Sequence, residues 1–291
     1  MAGLLVPSAA HFITMSEVVD PWEVERLDLD GYLARVGLTA REPSRDLLDE
    51  LHEAHVRAFT FDNIDVLLKQ HPGVGLDAVQ GKFVGRGRGG YCFEHATVFA
   101  AVLQRLGYDV QRRLGRVGDP ATGPQQGRTH MVVEVAIDGD RLLCDTGFGM
   151  SRLRPITLVD GAEDDYLGWR YRVRRAAPSG WALDRHRDGA WEVSHITDAL
   201  DVLPVDVVMG HHYTSTFPAS HFRSGLMVAR HLPGRHVVVT HAAVTVRRPG
   251  EPTEHRDLAA GELAEWLTVL EVRLGDDERE RLLARVAELR S

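Results

Sequence analysis

Residues 130–149 read HMVVEVAIDGDRLLCDTGFG, and the Asp138-Gly139 pair at their centre decides how this part of the chain folds. Asp-Gly between two alternating apolar runs is the strongest short hairpin signal, because both central residues of a type I′ turn need positive φ. A two-residue turn pairs Ile137 with Asp140. The register then sets His130 opposite Gly147 and Val132 opposite Asp145. His130 and Asp145 share one face of the ribbon as diagonal neighbours, about 7–8 Å apart at the backbone and within reach of a hydrogen bond. A three-residue turn would carry Asp145 to the other face.

Upstream, GRGRGGY (85–91) runs into a segment from about Tyr91 to Leu106 whose apolar residues cover most of a helical circumference, with Gly107 to end it. A buried helix is predicted, and Cys92 stands at its first turn. Free amide donors and the positive end of the helix dipole favour a thiolate there, and Arg86 and Arg88 add positive potential. A nucleophilic cysteine needs a base. The hairpin offers His130 with Asp145 to orient it, which is the logic of a thiolate–imidazolium pair steadied by a carboxylate. His95 is the rival base, three residues along the same helical face but with no carboxylate evident beside it. Cys144 lies in an apolar strand on the face opposite Asp145 and reads as a core thiol.

Further out, Asp28 or Asp30 caps a helix through GYLARVGL that ends near Gly37. Ser44 caps a second helix, with Leu47, Leu48, Leu51, Ala54 and Ala58 at helical spacing. YRVRRA, WALDRH, AWEVSHI and HVVVTHAAVTVRR read as strands, and ERERLLARVAELR as a terminal helix. Helices, then antiparallel strands, then a mixed end make an α+β chain rather than alternating βα units. Gly85–Gly90 matches G-x-G-x-x-G only formally, since no strand precedes it and an antiparallel hairpin follows. The glycines are expected instead to let the backbone approach a group bound at Cys92.

A net charge of −8 over 291 residues argues against nucleic acid or anionic membrane as a partner. No run approaches a membrane span, and the first residues have no signal-peptide pattern, so a cytoplasmic location is expected. Met15 is an alternative start. The two cysteines are then expected to stay reduced, and they are too few for a Cys-rich zinc site. The histidines His211, His212, His221, His231, His236, His241 and His255 lack metal-binding spacing, and no metal is expected.

RGRGGYCFEHATVFAAVLQRLGYDV, RTHMVVEV and LLCDTGFG, in this order, resemble the arylamine N-acetyltransferases, with DLDGYLARVGL, TFDNIDVLL and HHYTSTFPASHF adding to the likeness over residues 22–275. The resemblance implies a cysteine-protease-like core: a helical domain (22–109) carrying the nucleophile, an antiparallel β-barrel (110–204) carrying His and Asp, and an α/β lid (205–291), after an N-terminal extension (1–21). It places the catalytic triad on Cys92, His130 and Asp145. It implies a ping-pong reaction in which acetyl-CoA acylates the cysteine and an arylamine, arylhydroxylamine or hydrazine accepts the acyl group, with no metal. By the same resemblance, CoA contacts fall on Gly127, Thr129, Thr214, Ser215 and Thr216. Phe61, Phe148 and Phe217 are the aromatic candidates for the acceptor pocket. His95-Ala96 after C-F-E, Thr146 after the Asp, and His211-His212 depart from the family pattern. The related amide synthases, which take an acyl chain from a carrier-protein thioester, are the alternative.

Overall fold

A computed structural model describes residues 20–123 and 126–290. The alternative start at Met15 and nearly all of the 1–21 extension lie outside them. The helical part contains α1 (Leu29–Val36) and α2 (Arg45–Ala58), then β1 (Phe61–Asp62), α3 (Ile64–Leu67), α4 (Leu76–Gln80), a π turn over Gly81–Gly85, and α5 (Cys92–Arg105). The caps are those expected. Asp28 accepts from the Gly31 N–H, Gly37 closes α1 in the left-handed region, and the Ser44 hydroxyl accepts from the Leu47 N–H. In α2 the buried face is Leu47, Leu48, Leu51, His52, His55 and Val56, whereas Ala54 and Ala58 are only half-buried. Every residue of α5 from Cys92 to Leu103 is buried, so it is the central rod of the largest core cluster.

The next eight strands are β2 (Asp109–Val117), β3 (His130–Ile137), β4 (Asp140–Cys144), β5 (Ile156–Thr157), β6 (Glu163–Tyr166), β7 (Trp169–Ala176), β8 (Gly180–Arg187) and β9 (Ala190–Thr197). They form one antiparallel sheet in the order β5-β4-β3-β2-β9-β8-β7-β6. Its two edge strands are consecutive in the chain, so the sheet curls into a nearly closed barrel. The hairpin is as predicted: Asp138 and Gly139 have φ of 52° and 85°, and Ile137 pairs with Asp140 through to Val133 with Cys144. The paired ladder ends there, one residue before Asp145, so the expected pairs Val132–Asp145 and His130–Gly147 are not formed.

The chain continues through α6 (Pro204–Thr216), α7 (His221–Ser224), β10 (Met227–Leu232), β11 (Arg235–Thr240), β12 (Ala243–Arg247), β13 (Glu254–Asp257), α8 (Glu262–Val269) and α9 (Asp276–Arg290). The second sheet, β1-β10-β11-β12-β13, takes its edge strand from the helical part, and α8 and α9 pack against it in a separate apolar cluster. The join is tight. Asn63 donates to the carbonyls of Phe222 and Gly225 at 2.7 Å and accepts from the Met227 N–H at 2.8 Å. No helix among the described residues is long and apolar enough to cross a membrane.

Candidate active site

The front of α5 is held by buried charge. The Glu94 carboxylate accepts from the Tyr91 N–H at 3.0 Å, closing the first turn, and is gripped by Lys82 Nζ at 2.7 Å and His71 Nε2 at 3.2 Å. Burial would raise the Glu94 pKa, but Lys82 and His71 outweigh it and hold the carboxyl well below the usual range. Lys82 also bonds Asp65 at 2.7 Å, and Arg88 joins Asp65 and Glu278 at 3.2 and 3.1 Å. Arg88 and Arg86 therefore do not serve Cys92 as expected: Arg88 is spent within this network and the exposed Arg86 pairs with Glu278. The glycines also have another purpose. A Cβ at Gly90 would meet the Glu94 carboxylate at 2.1 Å, and one at Gly89 would meet the Thr60 carbonyl at 1.7 Å. Both admit close packing of the protein on itself rather than of a bound group.

Cys92, His130 and Asp145 meet at the junction of α5 and the barrel, all nearly fully buried. His130 Nε2 lies 3.1 Å from Asp145 Oδ1, and Cys92 and His130 line the same cavity. The thiol also points at the Thr129 carbonyl at 3.4 Å. Burial disfavours the imidazolium, yet Asp145 and then Cys92 overcome it and lift His130 to about 10. Burial likewise opposes the Asp145 anion, but His130 and His195 together push its pKa far down. Gly147 lies against the nucleophile: a Cβ there would stand 2.8 Å from the Cys92 Cα.

His95, the rival base, turns the other way. Its Nδ1 meets His55 Nε2 at 2.8 Å and its Nε2 meets the Thr60 carbonyl at 3.1 Å. Burial lowers it to about 4. The residue that sequence reasoning missed is His195 on β9, whose Nε2 bonds the second oxygen of Asp145 at 3.0 Å. Together His130, Asp145 and His195 are the one group of this kind among the described residues whose polar atoms lie within 4.8 Å of each other. Both Asp145 oxygens are taken up by these imidazoles, at 3.1 and 3.0 Å.

A cavity of about 310 Å³ opens onto Cys92 and His130. Phe61, Phe148 and Thr129 line it, and Phe148 stands edge-on to His130 with ring centroids 5.1 Å apart. Gly127 does not line it. Thr214, Ser215 and Thr216 lie at the end of α6, where each hydroxyl bonds back to a carbonyl of its own helix. Phe217 is exposed and stacks on Tyr213.

Comparison with known proteins gives the class first. A family model described as N-acetyltransferase matches residues 45–276. An arylamine N-acetyltransferase of Mycolicibacterium smegmatis is 35% identical over 274 residues, 90% of this chain and 98% of that one. The Escherichia coli arylamine N-acetyltransferase is 34% identical over 79% of this chain and 83% of its own length. Among solved structures, the Mycobacterium abscessus arylamine N-acetyltransferase superposes with a TM-score of 0.85 at 33% identity, covering 91% of this chain and 97% of that one. The Mycobacterium marinum enzyme, solved in complex with CoA, gives 0.84 at 32% identity over 90% and 99%. The chain belongs to the arylamine N-acetyltransferase family.

Proposed function

We propose that the protein moves an acetyl group from acetyl-CoA to an arylamine, arylhydroxylamine or hydrazine through a thioester on Cys92. The observation that carries this reading is His130, bonded to Asp145 at 3.1 Å and sharing a cavity wall with Cys92, whose side chain helps to raise its pKa. The thiolate attacks the thioester carbonyl of the donor, the bond from carbon to the CoA sulfur breaks, and CoA leaves with the proton held by His130. The Cys92 N–H, at the start of α5, has no acceptor within its helix and suits the developing oxyanion.

Acylation also prepares the second half. The Cys92 sulfur is one of the groups that hold the His130 proton, and as a neutral thioester it no longer does so. The imidazole becomes a better base at the moment an amine must be deprotonated. The amine nitrogen bonds the acetyl carbon, its proton passes to His130, and Cys92 leaves as the thiolate. The aromatic walls at Phe61 and Phe148 suit an aryl acceptor. CoA is expected to reach the cavity past Gly127 and Thr129, with Thr214, Ser215 and Thr216 and the aryl-facing Phe217 contributing once ligands are bound. Substitution of Cys92 by Ala or Ser tests the reading: acetyl transfer to 4-methoxyaniline should be abolished, and near-normal transfer would refute it.

A further inference from the structure

The cavity that opens onto Cys92 and His130 is charged on one side only. Arg185, Arg187 and Arg247 line it and no carboxylate does, in a chain whose net charge is −8. Arg185 and Arg187 stand at the end of β8 in the barrel, and Arg247 at the end of β12 in the second sheet. The carboxylates outside the cavity balance only part of this charge. Glu192 pairs with Arg185 at 3.4 Å and with Arg187 at 2.7 Å, and Asp188 lies 3.9 Å from Arg187. Asp145 does not line the cavity and is shared between two imidazoles behind it. Arg247 is left over, and its Nε is buried with no hydrogen-bond partner. Burial first, and then repulsion from Arg187 and Arg185, lower its pKa to about 10. Arg247 is half-buried, and Asp188 and Glu192 offset only part of this effect, so a carboxylate is its best complement, through a planar two-bond fork.

We propose that Arg247, with Arg187 and Arg185 beside it, is an anion site within the reaction cavity that selects a reactant carrying a carboxylate. The inference rests on the acyl-transfer reading above and narrows its substrate class. The three guanidiniums share one cavity with Cys92 and His130, and Arg185 sits 5.8 Å over the ring of Phe148, which is itself edge-on to His130. The same cavity of about 310 Å³ holds Cys92, and the long pantetheine arm separates the thioester from the phosphates of CoA, so we assign the carboxylate to the amine or to the transferred acyl group. With an aminobenzoate, the amine nitrogen bonds the acetyl carbon of S-acetyl-Cys92, the carbon–sulfur bond breaks, the proton goes to His130, and the carboxylate stays on Arg247 unchanged.

The test has two arms, each run on the unaltered protein, Arg247→Gln and Arg247→Lys, with melting curves to confirm folding. In the acceptor arm, acetyl-CoA is the donor and 4-aminobenzoate is compared with its methyl ester by kcat/KM. In the donor arm, thioester formation on Cys92 from succinyl-CoA is compared with that from acetyl-CoA by intact mass. In at least one arm the ratio of anionic to neutral substrate should fall about tenfold or more in Arg247→Gln and recover in part in Arg247→Lys. The arm that responds identifies the carrier of the carboxylate. In the unaltered protein the same ratio should decline as salt is raised. Ratios unchanged by Arg247→Gln in both arms overturn the proposal. A uniform loss for every substrate also overturns it, because it places the guanidinium on CoA itself. Absence of any transfer by the unaltered protein, even to a neutral amine, would instead contradict the acyl-transfer reading beneath it.

Discussion

Asp145 is held by His195 at 3.0 Å on the oxygen that His130 does not use, so one buried carboxylate is shared by two imidazoles. Burial and the neighbouring His130 keep His195 below its ordinary pKa. The bond assigns the proton to Nε2, and a neutral ring donates it to Asp145. His195 is a positioning residue: it does not reach the reacting atoms but fixes the group that fixes the base. Its Nδ1 is buried without a hydrogen-bond partner, so Asp145 supplies the hydrogen bond that orients the ring. His195→Phe is expected to lower kcat/KM about tenfold, the worth of one charge-assisted hydrogen bond, and to move the acid limb of the pH–rate profile upward as Asp145 becomes easier to protonate. His195→Asn, which keeps a donor, should recover part of both. An unchanged acid limb in His195→Phe would reduce His195 to packing.

His130 and His95 are separated by what their rings touch. His130→Gln is expected to cut transfer by about 10²–10⁴ and to slow iodoacetamide labelling of Cys92. His95→Gln should keep most of the activity while costing about 1–3 kcal/mol of stability, because it breaks buried bonds to His55 and the Thr60 carbonyl. Steady-state rates and melting curves on the two variants decide the matter, and the opposite pattern would make His95 the base.

Gly147 is required by contact rather than by backbone angle. A methyl group there would meet the Cys92 Cα at 2.8 Å and the His95 Cβ at 2.9 Å, both on the rigid face of α5. Gly147→Ala should cost about 1–3 kcal/mol and lower kcat by displacing the nucleophile from His130. Unaltered melting and kcat together would show that the strand end yields freely.

The raised His130 pKa has a consequence for stability. Its folded value, about 10, lies above the ordinary 6.5, so the stabilisation from its protonated form is complete below pH 6.5 and is lost as pH rises through 10. The difference in melting temperature between the unaltered protein and His130→Gln should therefore be largest at pH 6 and shrink steadily toward pH 10. A difference that grows over this range would mean that His130 is neutral in the folded protein.

Much of the site was legible because its determinants are local. The Asp138-Gly139 turn fixes the register of β3 and β4 as far as Val133 and Cys144, and extending that register in the sequence pointed to the His130–Asp145 contact seen at 3.1 Å. Ser44 and Asp28 cap the helices they precede, and the all-round apolar pattern after Tyr91 identifies α5 as the buried rod. His195 was not legible, because it comes 50 residues after Asp145 and carries no motif. A bulge where Leu183 and Asp184 pair with His195 and Val193 also breaks the alternation of β9, so that Ser194 and His195 are both buried. Arg88 misled for a similar reason. Its partners Asp65 and Glu278 lie far away in sequence, and nothing near residue 88 reveals that its charge is already matched. The carboxylates of TFDNID have the same status: the segment was recognisable, but its work in anchoring Lys82 and Arg88 emerges only in three dimensions.

The central claim is that one sulfur, that of Cys92, carries the acyl group between donor and amine. Intact-protein mass spectrometry after mixing with acetyl-CoA alone, followed by 4-methoxyaniline, measures this directly. One acetyl group should appear, map to the peptide containing Cys92, fail to form in Cys92→Ser, and vanish when the amine is added. An acetyl group that maps to Cys144 or to a lysine, or transfer to the amine that proceeds in Cys92→Ser, would contradict it.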